Sequence, residues 1–121
     1  MQTLICHTLK FPNYHLISIG ARLFEPRSIP VQNLVFTKSI EVWGGENKAW
    51  IGINDKSVEG EFVFASSGEN INVTDWKPYE PNDLNNQDCV TYSAYSNYNG
   101  NHYWDDDRCS NIYSFICELL P

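Results

Sequence analysis

The chain has 121 residues, of which 42% are hydrophobic and 14% aromatic, and carries a formal net charge of −7. That length suits one domain spanning 1–121, and the apolar content is enough for a packed core, which excludes a disordered chain. The acidic balance argues against nucleic acid and anionic membranes as partners, because phosphate recognition needs a basic surface. No apolar run reaches the ~20 residues of a membrane-spanning helix, so no membrane insertion is expected.

In chain order, Met1 to Gly20 is broken by His7, Lys10, Pro12, Asn13 and His15, and it does not read as a secretory signal peptide. It carries strand-like apolar residues, with a short helix expected near Tyr14 to Ile19. Ala21 to Phe24 reads as a short strand. Ser28 to Trp43 reads as a helix, with Pro30 in its first turn and Gly44-Gly45 as its stop. Val31, Leu34, Val35, Lys38 and Val42 fall on one face of that helix, which predicts the face that packs inward. Lys48 to Ile53 reads as a buried strand, and Glu61 to Ala65 as another after the Glu59-Gly60 turn. Ser66 to Gln87 holds Gly, Pro and several Asn without periodicity, and a loop of that length in a small domain is usually functional. Cys89 to Ala94, His102 to Asp105 and Tyr113 to Glu118 read as three more strands, the first two joined by a turn over Tyr95 to Asn101 with Asn99-Gly100 in it.

Four cysteines, Cys6, Cys89, Cys109 and Cys117, suit two disulfides in an oxidising, extracellular compartment, and by themselves allow three pairings. The histidines His7, His15 and His102 lie at no zinc spacing. Asn72-Val73-Thr74 is an N-glycosylation sequon, which has meaning only for a secreted chain.

Around Cys89 and Cys109 the chain gathers carboxylates and amides: Glu80-Pro81-Asn82-Asp83, Gln87-Asp88 and Trp104-Asp105-Asp106-Asp107. Hard cations such as Ca²⁺ take six to eight oxygen ligands of this kind, so the cluster is a candidate calcium site. The alternative is a set of solvated acids that keeps the domain soluble.

Trp50-Ile51-Gly52-Ile53, Glu80-Pro81-Asn82, Asp88-Cys89-Val90, Trp104-Asp105-Asp106 and Phe115-Ile116-Cys117-Glu118 together resemble the C-type lectin-like domain in residue type, order and spacing. The resemblance covers Gly20 to Glu118, and residues 1–19 depart from the family pattern. It implies an α+β fold in which two helices flank small antiparallel sheets and a long loop carries the ligand site. It implies the disulfide Cys89–Cys109. The family's usual partner of Cys117 lies on the first helix, where this chain has none, so Cys6–Cys117 is expected instead.

The resemblance also implies a sugar-facing calcium site made by Glu80, Asn82, Gln87, Asp105 and Asp106, with Pro81 in the cis form. Of these, Gln87 stands where the family has Glu, and Asp105 where it has Asn. The exchange preserves one acceptor and one donor in that pair, and three carboxylates at the metal. Glu80-Pro81-Asn82 is the family's mannose-type order, which points to mannose, fucose or N-acetylglucosamine bound through vicinal hydroxyls at Glu80, Asn82, Gln87 and Asp105. Asp55, Glu59, Asp83 and Asp88 match the ligands of an auxiliary calcium, with a structural role. One or two Ca²⁺ ions, glycan or glycoprotein partners and a secreted location follow as expectations, and an oligomer would have to use the globular surface.

Trp50, Trp104 and Phe115 are expected in the core, and Trp76 as a loop anchor beneath the site. Tyr79 is better placed than Trp76 to reach a ligand, against the plainer reading of an exposed surface tyrosine. Tyr92, Tyr95 and Tyr98 are weaker candidates for extending that surface, and His102 reads as a plain strand or turn residue before a sugar-stacking one. Two other classes compete with the lectin reading. One is a module of the same fold that binds protein after losing sugar recognition through Gln87 and Asp105. The other is a glycosidase using Glu80 with Asp105 to Asp107, disfavoured because these carboxylates crowd a metal position and none is set apart as a proton-holding acid.

Overall fold

A computed structural model describes residues 3–11, 21–43, 47–77, 80–81, 87–94 and 102–119. The elements are β1 (Thr3–Phe11), β2 (Ala21–Leu23), α1 (Ile29–Trp43), β3 (Asn47–Asn54), β4 (Val63–Phe64), β5 (Cys89–Ala94), β6 (His102–Asp107) and β7 (Tyr113–Leu119). The strands form one seven-stranded sheet whose main path runs β1-β7-β3-β5-β6, with β2 paired to β7 and β4 to β3. The antiparallel pairs are joined by one parallel pair, β3 with β7, where Trp50 faces Phe115 in register. The expected small antiparallel sheets are thus fused into a single mixed sheet, and the α+β class stands. The helix expected near Tyr14 to Ile19, and the turn over Tyr95 to Asn101, lie outside the described residues. β1 replaces the loose strand-like expectation for the N-terminus with a strand along β7, Leu4 opposite Cys117 and Cys6 opposite Phe115.

β3 is central, between β5 and β7, and from Ala49 to Ile53 both its faces are buried. Side chains alternate across a strand, and the two faces feed two clusters. Ala49, Ile51 and Ile53 pack with Phe24, Phe36, Phe64, Val90, Tyr92, Trp104 and Ile116. Trp50 packs with Leu23, Phe115 and the cysteines Cys89 and Cys117 on the other face. The core assignments of Trp50, Trp104 and Phe115 hold, all within 1% of full burial.

Helix α1 begins at Ser28, whose hydroxyl accepts from the Val31 N–H as an N-cap. Its inward face matches the expected one only in part: Val35 packs against the core. Val31 and Leu34 are exposed at 52% and 71%, while Gln32 and Phe36 are fully buried. The physical reason is a polar socket: the Gln32 amide donates to Asp75 Oδ2 at 2.8 Å and its carbonyl accepts the Trp104 indole N–H at 2.8 Å. A satisfied amide is tolerated inside, and apolar periodicity does not register it. Phe36 stacks on Tyr92 with centroids 3.9 Å apart. Tyr92 is therefore core and not part of any ligand surface, a correction to the sequence reading; Tyr79, Tyr95 and Tyr98 lie outside the described residues.

Cys89 and Cys109 are bonded, closing a 20-residue separation, which contributes about 3 kcal/mol in the chain-entropy view. Cys117 is also disulfide-bonded; the side chain of Cys6, its expected partner, is outside the described ones. A buried carboxylate, Glu25, ties β2 to the loop after β4 by accepting from Ser66 N–H at 2.7 Å and Ser66 hydroxyl at 2.8 Å, with Arg27 at 3.2 Å. This packing requires glycine at 52, where a Cβ would stand 2.8 Å from Glu25 Cγ and 2.9 Å from the Leu23 carbonyl oxygen.

Two stability outcomes follow, both readable by chemical denaturation. Gly52→Ala should cost about 1–3 kcal/mol through overpacking against backbone. Gln32→Leu should cost about 1–3 kcal/mol, because it strands the Trp104 indole N–H and takes a donor from the Asp75 carboxylate. A Gln32→Leu protein as stable as the parent would show that the socket does not hold α1 in place.

Candidate metal centre

The loop after β4 runs along the free side of β6, the last strand of the sheet path. Backbone bonds pin it there: Trp104 N–H to the Asp75 carbonyl at 2.8 Å, and Lys77 N–H to the Trp104 carbonyl at 2.9 Å. Trp76 anchors the same stretch, edge-on to Trp104 at 5.4 Å and to Phe62 at 4.8 Å. The chain then turns, the Glu80 N–H donating to the Lys77 carbonyl at 3.0 Å. The Glu80–Pro81 peptide is cis.

This route delivers Glu80 to the end of β6. One carboxylate oxygen each from Glu80, Asp105 and Asp106 lies within 4.8 Å of the others, although more than twenty residues of sequence separate Glu80 from the pair. Asp105 and Asp106 are buried. Crowding has an electrostatic consequence. Burial, a hydrogen bond to Asp106 and the charges of Asp105 and Asp106 push the Glu80 carboxyl up to about 8. Carboxylates held this close cannot all ionise without a counter-charge, so one retains a proton or a cation joins them.

A second group brings Asp55, Glu59 and Asp88 together, again with one carboxylate oxygen apiece within 4.8 Å. Asp55 and Glu59 lie on the turn after β3, where Gly60, at a φ of 83°, gives its N–H to Asp55 Oδ2 at 2.9 Å and to Glu59 Oε2 at 3.1 Å. The Asp55 N–H in turn donates to the Asp88 carbonyl at 3.0 Å, which holds the start of β5 against that turn.

The buried side-chain oxygens with no hydrogen-bond partner among the described residues include Asp55 Oδ1 and Gln87 Oε1. Such an atom costs about 1–3 kcal/mol when left unmatched, and both belong to residues expected to face a cation. The donor sets, all oxygen and rich in carboxylate, have the chemistry of a hard divalent ion and fit Ca²⁺. Of the residues predicted from sequence, the structure brings together Glu80 with Asp105 and Asp106, and Asp55 with Glu59 and Asp88. Gln87 precedes Asp88 and is half-buried; Asn82 and Asp83 lie outside the described residues.

Sequence reasoning missed two lysines. Lys77 Nζ lies 3.5 Å from Asp105 Oδ2, and Lys48 Nζ lies 3.6 Å from the same oxygen and 3.1 Å from Asp107 Oδ2. Lys48 is placed by strand register: β3, β5 and β6 set Trp50 against Thr91 and Thr91 against Asp105, so Lys48, two residues before Trp50, shares the face of Asp105 and Asp107. The Asp107 carboxyl is pushed up by burial, yet hydrogen bonds from the Tyr113 hydroxyl, the Arg108 N–H and Lys48 outweigh that and hold it below the usual carboxylate range.

Comparison with known proteins places this architecture. Residues 18–119 match the model of the lectin C-type domain. The chain is 32% identical over 118 residues to lectin BRA-3 of Megabalanus rosa, covering 96% of this chain and 61% of that protein. It is 39% identical over 101 residues to a mannose-binding protein of Gallus gallus, covering 83% of this chain and 35% of that protein. The chain thus spans less than two thirds of the length of either relative. In fold it is similar to the C-type lectin domain of murine dendritic cell inhibitory receptor 2, solved in complex with N-glycan, with a TM-score of 0.80 at 18% identity, covering 98% of this chain and 90% of that one. With the family match spanning most of its length, this chain belongs to the C-type lectin domain family.

Proposed function

We propose that this domain binds carbohydrate in a calcium-dependent manner at Glu80, Asn82, Gln87, Asp105 and Asp106, and that its sugars are of the mannose, fucose or N-acetylglucosamine type. The observation that carries the reading is the convergence of the Glu80, Asp105 and Asp106 carboxylates on one point in a chain of a carbohydrate-binding family. When bound, Ca²⁺ supplies coordination positions for two vicinal hydroxyls of the sugar. The protein groups around it hold the ion through carboxylate oxygens, accept hydrogen bonds from those hydroxyls, and donate to them through the amides of Asn82 and Gln87. The order Glu80-Pro81-Asn82 supports the mannose class.

Asp55, Glu59, Asp83 and Asp88 are proposed to hold a second ion that ties the loop to the turn after β3. The domain is a non-enzymatic, secreted module whose partners are glycans and glycoproteins, and one shallow site of this kind gains useful affinity by multivalency.

Titration calorimetry with mannose tests the reading. Heat should appear in Ca²⁺, vanish in EDTA, and be lost in Glu80→Gln and Asp106→Asn. Binding of galactose in place of mannose would overturn the sugar class, and binding that survives EDTA would overturn the calcium requirement. A glycan array that stays silent with folded, calcium-loaded protein would favour a protein-binding module in which the Gln87 and Asp105 exchange has ended sugar recognition.

The Glu80 carboxyl yields a second outcome with a definite sign. Its value in the folded protein, about 8, lies above the ordinary 4.5. Between these values the folded state holds a proton that the unfolded state has lost, so stability of the calcium-free protein should fall as pH rises from about 4.5 to about 8. Saturating Ca²⁺ should remove that slope, since ion and proton compete for the same oxygens. Melting temperature against pH in EGTA and in Ca²⁺ measures both, and parallel profiles would refute the linkage.

A further inference from the structure

The acids at the end of β6 are not alone. Lys48 and Lys77 both approach the same oxygen of Asp105, at 3.6 and 3.5 Å. Neither ammonium is a loosely hydrated surface charge, for their side chains are 27% and 23% exposed against 10% for Asp105. Lys48 is held a second time by Asp107 at 3.1 Å. Asp107 is itself clamped by the Tyr113 hydroxyl at 2.8 Å, the Asn111 amide at 3.0 Å and the Arg108 N–H at 2.8 Å. Lys77 is fixed through its backbone to Trp104. Counted with Asp107, the four carboxylates and two ammoniums carry a net charge of −2 when all are ionised, which is the charge one divalent ion neutralises.

We propose that Lys48 and Lys77 are built-in counter-cations of the Glu80–Asp105–Asp106 site, positioning residues that hold Asp105 in the calcium-free protein and compete with Ca²⁺ for it. The assignment rests on the reading of this site as a calcium site. An ion that shares the Asp105 carboxylate would meet the two ammonium charges held 3.5 and 3.6 Å from Asp105 Oδ2, and like charges so placed repel in a partly screened setting. The lysines therefore do two opposed things. They lower the cost of crowding acids while no ion is bound, and they raise the calcium concentration at which the site fills. Affinity for the ion, and through it for the sugar, is set by residues outside the oxygen ligand set.

Calcium titration of folded protein by calorimetry, with melting temperature in EGTA measured in parallel, tests this. Lys48→Met and Lys77→Met keep most of the aliphatic stem and remove the charge. Each should melt lower than the parent in EGTA yet bind Ca²⁺ about tenfold more tightly at low salt, with the gain shrinking as ionic strength rises. Lys48→Arg should keep parental affinity. A lysine important only for folding would lower the melting temperature without tightening calcium binding. If the parent binds Ca²⁺ and the Met variants bind it equally or more weakly, the lysine assignment falls while the calcium reading stands. If neither the parent nor the folded Lys48→Met/Lys77→Met double variant takes up Ca²⁺, both fall.

Discussion

Trp104 is where helix, sheet and loop are tied to one another. Its indole lies fully buried among both aromatic and aliphatic neighbours. The indole N–H is given to Gln32 on α1, while its backbone N–H and carbonyl hold Asp75 and Lys77 of the long loop. The next residues of β6 are Asp105 and Asp106. A loop with little regular structure of its own is therefore aligned on the strand that carries the other half of the carboxylate group, and Glu80 arrives there because Lys77 is fixed three residues earlier. Backbone pairing is well suited to this: it sets position without using the side chains that the site needs.

The site is built against electrostatic resistance. Three carboxylates within 4.8 Å of one another oppose folding unless something compensates, and the compensation is layered. The Glu80 carboxyl holds its proton far above the ordinary range, two lysines lean on Asp105, and the remaining demand matches a divalent ion. The raised Glu80 carboxyl and the ammoniums beside Asp105 sit on neighbouring members of one acid group, so protonation and ion pairing relieve the same repulsion. The second acid group, at Asp55, Glu59 and Asp88, differs: its oxygens also receive backbone N–H bonds from Gly60, which suits a role in holding the turn.

Much of the fold was legible in the sequence. β3 stands out because Ala49-Trp50-Ile51-Gly52-Ile53 is apolar at successive positions, which suits a strand buried on both faces. β5, β6 and β7 follow from alternation and from the cysteines. The inward face of α1 was legible only in part, because Gln32 is buried for its two hydrogen bonds and hydrophobic periodicity counts it as polar. Tyr92 was misplaced for a related reason: a tyrosine between Thr91 and Ser93 looks solvent-facing until Phe36 stacks on it. The acids of the candidate site were all visible as residue types in known motifs, while Lys48 was not, since its meaning depends on the register across β3, β5 and β6.

The sequence by itself determined the family, because the matching motifs depend on residue identity at short spacings, and through that resemblance it pointed to the Cys89–Cys109 pair that staples β5 to the turn after β6. The family resemblance named the acids that meet; only the tertiary structure decided how they are brought together, Glu80 to Asp105 and Asp106, and Asp55 to Glu59 and Asp88, through sheet order and loop pinning across long separations. It alone decided that Asp105 is flanked by two lysines. Charge in a folded protein acts through distance in space and degree of burial, and neither is set by position along the chain.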